Sequence, residues 1–192
     1  DPAQFEALAR DGQAPRIMIV ACSDSRVDPL RLTGAGLGDV FIVRNVANLV
    51  PPYAPDGDYH GTSAALEFAV LSLGVKHIVV MGHGRCGGIR AVINSGDPLS
   101  STDFIGSWMK PVRDVARFVP LTEGLDAEEH ERLVEHASVE HSLANLRTFP
   151  WLRVRAQRWE VSLHGAWFDI SLGELHSFDE ESGSWEKVRP AG

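Results

Sequence analysis

The sequence predicts an α/β fold: a parallel β-sheet core flanked by helices, with an antiparallel strand or hairpin at the C-terminal end. Three observations carry this. Residues 17–21 (Ile-Met-Ile-Val-Ala), 40–43 (Val-Phe-Ile-Val) and 78–81 (Ile-Val-Val-Met) are short continuous apolar runs, the pattern of strands covered on both faces. Between the second and third, residues 61–74 carry Ala64, Ala65, Leu66, Phe68, Ala69, Leu71 and Leu73 with few breakers, the composition of a buried crossover helix. Near the C-terminal end, two strand-like segments flank Ser171-Leu172-Gly173, a turn that closes a hairpin.

In chain order, residues 1–9 place Phe5, Leu8 and Ala9 at helical spacing before Gly12 and Pro15 stop the helix. The stretch 45–60 contains Pro51, Pro52, Pro55 and Gly57 and is predicted to be a long loop, of the kind that is often functional. A short helix is expected after Gly87, to about Ser95, and further helix over 101–118, interrupted at Pro111. Residues 128–149 hold Leu133, Val134, Ala137, Val139, Leu143 and Leu146 as an amphipathic helix, with Glu129, Glu131, Arg132 and Glu135 on its solvated face. Residues 159–170 and 174–178 form the hairpin. No repeat or linker breaks this order, so residues 1–192 are predicted to form a single domain. The chain opens at Asp1 rather than Met, so the expectation is a trimmed chain whose N-terminal helical arm is shortened.

Composition narrows the function. Lys and Arg number 18 against 26 Asp and Glu, a formal charge of −8, with 44% apolar residues. That balance argues against a nucleic-acid partner, which needs a basic face, yet leaves room for a local cationic pocket. No run approaches the roughly 18 apolar residues of a membrane helix. The expected compartment is cytoplasmic, with a removed leader left open. Two cysteines leave three readings: one bridge, two inert core thiols, or a pair of metal ligands.

Their positions favour the last. Cys22 ends the first apolar run, inside Cys22-Ser23-Asp24-Ser25-Arg26. Cys86 follows the third, inside Gly82-His83-Gly84-Arg85-Cys86-Gly87-Gly88. The carboxyl ends of parallel strands are where open α/β sheets bind ligands, so the two segments should meet. His83 and Cys86 are three apart on a glycine-rich turn, close enough to share one ion. Two thiolates and an imidazole suit Zn²⁺, and three protein ligands leave an open position, as catalytic zinc sites do. Asp24 is the candidate fourth ligand, but Arg26 two residues on can pair with it in a bidentate fork and hold it off the metal. A carboxylate so held can take a proton from a reacting water. Gly87 and Gly88 offer backbone N–H groups at a helix start, which suits a small anion.

These motifs resemble those of the β-class carbonic anhydrases. The likeness extends through Gly38-Asp39-Val40-Phe41-Ile42-Val43-Arg44-Asn45-Val46-Ala47-Asn48, Ser63 to Val70, Ser142-Leu143-Ala144-Asn145-Leu146 and Leu163-His164-Gly165-Ala166-Trp167-Phe168-Asp169, nearly the whole chain. The resemblance implies reversible hydration of CO₂ to bicarbonate and a proton by zinc-bound hydroxide, with one zinc per chain on Cys22, His83 and Cys86 and with Asp24 and Arg26 as the catalytic dyad. It is nearer to the plant-type subgroup, where Gln13 falls at an active-site amide and Phe41 and Val46 at apolar pocket positions, and Ser101-Thr102-Asp103-Phe104-Ile105 also matches. It implies a homodimer or tetramer with active sites at the dimer interface, so that Gln13, Phe41 and Val46 serve across subunits.

There are departures. Phe68 stands where that subgroup often has Tyr, Gly84 replaces a more usual Ser, and Ile19 replaces the Trp that lines an inhibitory bicarbonate site in the other subgroup, leaving Arg44 without it. His60 is a candidate proton shuttle, its ordinary pKa being near neutrality, although a solvated loop histidine is the commoner case. The alternatives are a hydrolase acting on CS₂ or COS with the same zinc, and a non-catalytic zinc-stabilised module in which Asp24 ligates the metal.

Overall fold

A computed structural model of the chain describes residues 2–95 and 103–189. Helix α1 (Pro2–Asp11) precedes β1 (Ile17–Cys22), a short α2 (Pro29–Thr33), β2 (Val40–Asn45) and a 3₁₀ turn at Val46–Asn48. Then come α3 (Gly61–Glu67), continued as a π-helical turn over Phe68–Leu73, β3 (His77–His83) and α4 (Gly87–Ser95). Helices α5 (Asp103–Trp108), α6 (Lys110–Ala116), α7 (Ala127–Leu146) and α8 (Pro150–Gln157) lead to β4 (Ser162–Asp169), β5 (Glu174–Asp179) and β6 (Ser184–Lys187).

The six strands form one sheet in the order β2-β1-β3-β4-β5-β6. The first four are parallel; β5 and β6 add antiparallel at the end. The chain leaves β1 toward β2 on one side and returns to β3 on the other. The strand order therefore reverses between β1 and β3, where α/β sheets open a crevice at their carboxyl ends.

Most expected elements are present, with corrections. Strand β1 is buried on both faces, but β2 is only half-buried because it is the sheet edge. The crossover 61–74 is helical but covers one side only: Leu66, Ala69 and Val70 are buried while Phe68 and Leu71 stay exposed. The break in the helical stretch after residue 103 falls at Met109, and Pro111 sits in the first turn of α6, where no N–H is required of it. Ser101 and Thr102 lie outside the described residues. Strand β4 begins at Ser162; Trp159 turns through a left-handed φ of 59°. Glu135 is not on a solvated face: it is buried.

Met18, Val20, Ile78 and Val80 project to one side, packed by Leu66, Val70, Val139, Leu143 and Leu146. Ile19, Ala21, Met81 and Ala166 pack on the other. A third cluster, with Ala47, Leu49, Ile89, Val92, Met109, Val112 and Val134, surrounds Cys22 and Cys86.

Helix α7 lies tight on β3 because Gly82 has no side chain. A Cβ there would stand 2.7 Å from Val139 Cγ2 and 3.4 Å from Trp167 Cδ1, and Val139 is a buried β-branched residue with nowhere to go. Gly82→Ala is therefore expected to cost about 1–3 kcal/mol of stability in urea denaturation. Gly61→Ala, where a Cβ meets nothing within 4 Å, should leave stability unchanged or slightly raised.

His136 pins the C-terminal strands to α7. Its ring stacks on Trp185 (centroids 4.2 Å apart) and meets Trp167 edge-on (4.8 Å). Burial, then Arg132 and His176, push its pKa down to about 4. The unfolded chain thus binds a proton that the fold refuses between pH 6.5 and about 4. Stability is fully present above that window and is lost as pH falls through it, by up to about 3 kcal/mol from this group. Between pH 7 and pH 5 the urea midpoint of the wild type should fall relative to that of His136→Phe, in which this group's dependence is absent.

Candidate metal centre

The parallel pairing sets Ala21 beside Met81, so Cys22 ends β1 level with the last turn of β3, where His83 stands. Cys22, His83 and Cys86 converge there, all buried, with one ligand atom of each within 4.8 Å of the others. Both thiols are free.

Each donor is oriented by the backbone. His83 Nδ1 donates to Gly84 O at 3.0 Å, which leaves the Nε2 lone pair facing the cysteines with no hydrogen-bond partner. An orphaned buried imidazole nitrogen between two thiols is what a cation would satisfy. The Cys22 sulfur accepts the Ala47 amide at 3.4 Å, which Ala47 presents from a left-handed φ of 63°. The amides of Gly88 and Ile89, at the start of α4, work to lower the Cys86 thiol. The two thiols titrate together. Their mutual hydrogen bond lowers Cys22 and raises Cys86, and His83 lowers Cys22 further. Burial opposes protonation of His83, but Cys22 beside it outweighs burial and raises its pKa. The donor set, two thiolates and an imidazole with backbone amides on the sulfurs, fits Zn²⁺.

Asp24 lies beside this cluster, on Arg26. Arg26 Nε and backbone N both reach Oδ1 at 2.9 Å, and Nη2 reaches Oδ2 at 2.6 Å. Those bonds hold the Asp24 carboxyl well below the usual carboxylate range, against burial. Arg26 Nη2 also donates to Arg85 O at 2.9 Å, bridging the two strand-end loops. Asp24 Oδ2 stands 3.9 Å from His83 Nε2.

The structure brings together Cys22, His83, Cys86, Asp24 and Arg26. Val46 is nearby: a Cβ on Gly88 would meet its Cγ1 at 3.1 Å, and Trp108 Nε1 donates to its carbonyl at 2.8 Å. Gly87 and Gly88 do open α4. Two residues stand apart within one chain. Gln13 is exposed beyond α1, and Phe41 packs on the core and, at 6.0 Å between centroids, on Phe68. His60 is held by Asp56 at 2.6 Å.

Sequence reasoning missed three supports. Arg44 is a clamp: its guanidinium donates to the carbonyls of Cys22 (2.9 Å), Asp24 (2.7 Å) and Val27 (2.7 Å), fixing the loop that carries the first ligand and the dyad. Glu135 accepts the Cys86 amide, and Trp167 donates to Glu135. The spacing of Glu135 from Val139, Ser142 and Leu146 would have placed it on the inward face of α7. Gly84 leaves room for Trp167, whose Cζ2 would lie 3.1 Å from a Cβ there.

The fold and this cluster define a class, an α/β protein with a thiolate–imidazole cation site at the carboxyl ends of parallel strands. The sequence profile described as carbonic anhydrase matches residues 17–175. The chain is 40% identical over 163 residues to β-carbonic anhydrase 5, chloroplastic, of Arabidopsis thaliana, covering 83% of this chain and 53% of that protein. It is 36% identical over 179 residues to a carbonic anhydrase of Synechocystis, covering 91% and 63%. The β-carbonic anhydrase CcaA superposes with a TM-score of 0.88 at 30% identity, over 98% of this chain and 83% of that one. A tetrameric β-carbonic anhydrase of Sordaria macrospora superposes with a TM-score of 0.80 at 32% identity, over 96% and 88%. The chain belongs to the β-class carbonic anhydrase family. It spans between 53% and 63% of the length of the curated relatives it matches.

The Arg44 clamp has a measurable consequence. Arg44→Met leaves three carbonyls without their charged donor and is expected to lower stability by about 1.5–3 kcal/mol in urea denaturation. Arg44→Lys, which keeps the charge but not the fork, should recover only part of it.

Proposed function

We propose that the protein catalyses the reversible hydration of CO₂ to bicarbonate and a proton, with one Zn²⁺ per chain held by Cys22, His83 and Cys86. The observation that carries this reading is the Asp24–Arg26 fork. It occupies both carboxylate oxygens with Arg26 and keeps Asp24 out of the donor set, which leaves three protein donors rather than four. That favours a catalytic centre over a closed structural one. Bound zinc would supply a Lewis acid that makes a water nucleophilic near neutral pH.

The chain's own residues do the rest. Asp24, kept ionised by Arg26, holds a lone pair beside His83 Nε2 to accept a hydrogen bond from the reacting water and so orient its oxygen. Arg26 fixes Asp24 and ties it to Arg85 O, which keeps the carboxylate at one height above the cysteines. Val46 supplies apolar wall next to the centre, suited to CO₂, which has no dipole. Gln13 and Phe41 reach the centre from a second copy in this reading, and Gln13 donates to a bicarbonate oxygen. Gly87 and Gly88 belong to the same pocket through the α4 start.

A homodimer or tetramer with active sites at the dimer interface is part of the proposal. Its support is that α1 buries none of its residues on its own chain, that Phe5, Phe68 and Leu71 are exposed, and that a close relative is described as tetrameric. We also place residues 1–192 in a single domain and in the cytoplasm. Both ligand thiols must stay reduced, as that compartment keeps them. Among the described residues no helix is long and apolar enough to cross a membrane.

Stopped-flow CO₂ hydration from about pH 6.5 to about pH 9 tests the reading, and Asp24→Asn is expected to lose roughly 10²-fold or more with zinc content unchanged. Chelation of the zinc should abolish activity and re-addition restore it. Wild-type enzyme fully loaded with zinc yet inactive across that range would refute the proposal.

A further inference from the structure

We propose that Glu135 is a positioning residue: from α7 it holds the Cys86 backbone amide and so sets where the Cys86 sulfur points in the metal centre. The inference rests on the function proposed above and assigns a residue to it that the dyad and ligand set do not include. Glu135 is 2% exposed, and each of its carboxylate oxygens is taken by a different N–H. Oε1 accepts from Cys86 N at 3.0 Å and Oε2 from Trp167 Nε1 at 3.0 Å.

Cys86 is the cap of α4, since its carbonyl accepts from Arg90 N at 2.9 Å. Helix starts often satisfy their orphan donors reciprocally. The cap side chain takes amides of the first turn, and an acidic side chain at the third helical position reaches back to the cap's own N–H. In this chain the two halves are separated. The first-turn amides of Gly88 and Ile89 lie on the Cys86 side and lower its thiol, but the third helical position is Ile89, apolar and buried, which cannot reach back. Glu135 supplies that half from another helix.

The geometry asks for a double acceptor rather than for bulk. Both partners of Glu135 are donors only, so a side-chain amide in its place would meet one of them with its own NH₂. The two ends of the metal-binding turn are also held separately. The His83 end is tied to β4, with Gly84 N donating to Phe168 O at 2.9 Å and His83 Nδ1 donating to Gly84 O. The Cys86 end is tied through Glu135 to Trp167. Between them Arg85 turns through a left-handed φ of 57°, so a loosened Cys86 amide lets that turn relax and carries the sulfur with it.

The test uses the full chain as wild type, Glu135→Gln and Trp167→Phe. Zinc affinity is read by chelator competition, ligand geometry by the thiolate-to-metal bands of the Co²⁺-substituted protein, and folding by circular dichroism. Glu135→Gln is expected to keep the wild-type fold, bind zinc about 10–100-fold more weakly and shift the cobalt bands. Trp167→Phe, which frees Oε2 but spares the Cys86 bond, should change both readouts in the same direction by less. A folded Glu135→Gln that binds zinc within about threefold of wild type with unchanged cobalt bands overturns the proposal. If Glu135→Gln does not fold, Trp167→Phe decides: weaker zinc binding with shifted bands supports it, and wild-type values overturn it. A wild-type chain that takes up no zinc overturns the proposed function itself, and this inference with it.

Discussion

The constraint on which the rest depends is the parallel register between β1 and β3, with Ala21 opposite Met81. It puts Cys22 at the height where His83 leaves β3. A slip of one residue would turn Cys22 to the opposite face of the sheet and separate it from the other two donors. The apolar pattern alone does not forbid that slip, because β1 is buried on both faces. What pins the register is specific. Gly82 admits α7 through Val139, Gly165 admits Phe178, Leu143 and Val139, and Arg44 from the edge strand locks the backbone just past Cys22.

Around that register the chain manages charge. Two thiolates give a bound cation more negative charge than imidazoles would, which works against acidifying a water. The Ala47 amide bonded to the Cys22 sulfur, and the Gly88 and Ile89 amides that lower Cys86, draw some of that charge back. Asp24 adds a further carboxylate, yet its pairing with Arg26 makes the dyad nearly neutral as a unit. A formal charge of −8 over the chain therefore says little about this centre, where backbone dipoles and one guanidinium set the field.

Much of this was legible in the sequence because the decisive features are local. A strand end followed by Cys22-x-Asp24-x-Arg26, and a strand end followed by His83-x-x-Cys86, needed only the rule that parallel strands share a carboxyl end. The three parallel apolar runs and the C-terminal hairpin were legible for the same reason. Contacts made across the fold were not. Glu135 read as one of several charges on a helix; its spacing from Val139, Ser142 and Leu146 marks the inward face, but its partners Cys86 N and Trp167 Nε1 come from across the fold. Arg44 lies one strand away from the carbonyls it clamps. Strand β6 is short and half-exposed, and α8 is only eight residues beginning at Pro150, so neither carries a strong periodic signal. Within one chain Gln13 is exposed and Phe41 packs on the core, away from the cysteines, so nothing local to either residue marks a site.

The central claim is that three donors hold a metal while Asp24 stays on Arg26. Crystallography of the zinc-loaded protein with anomalous data at the zinc edge tests it most directly. The account predicts one zinc peak per chain between Cys22 Sγ, His83 Nε2 and Cys86 Sγ, with solvent on the fourth side and the Asp24–Arg26 fork intact. An Asp24 carboxylate bonded to the zinc, or no zinc between those three atoms, would contradict it.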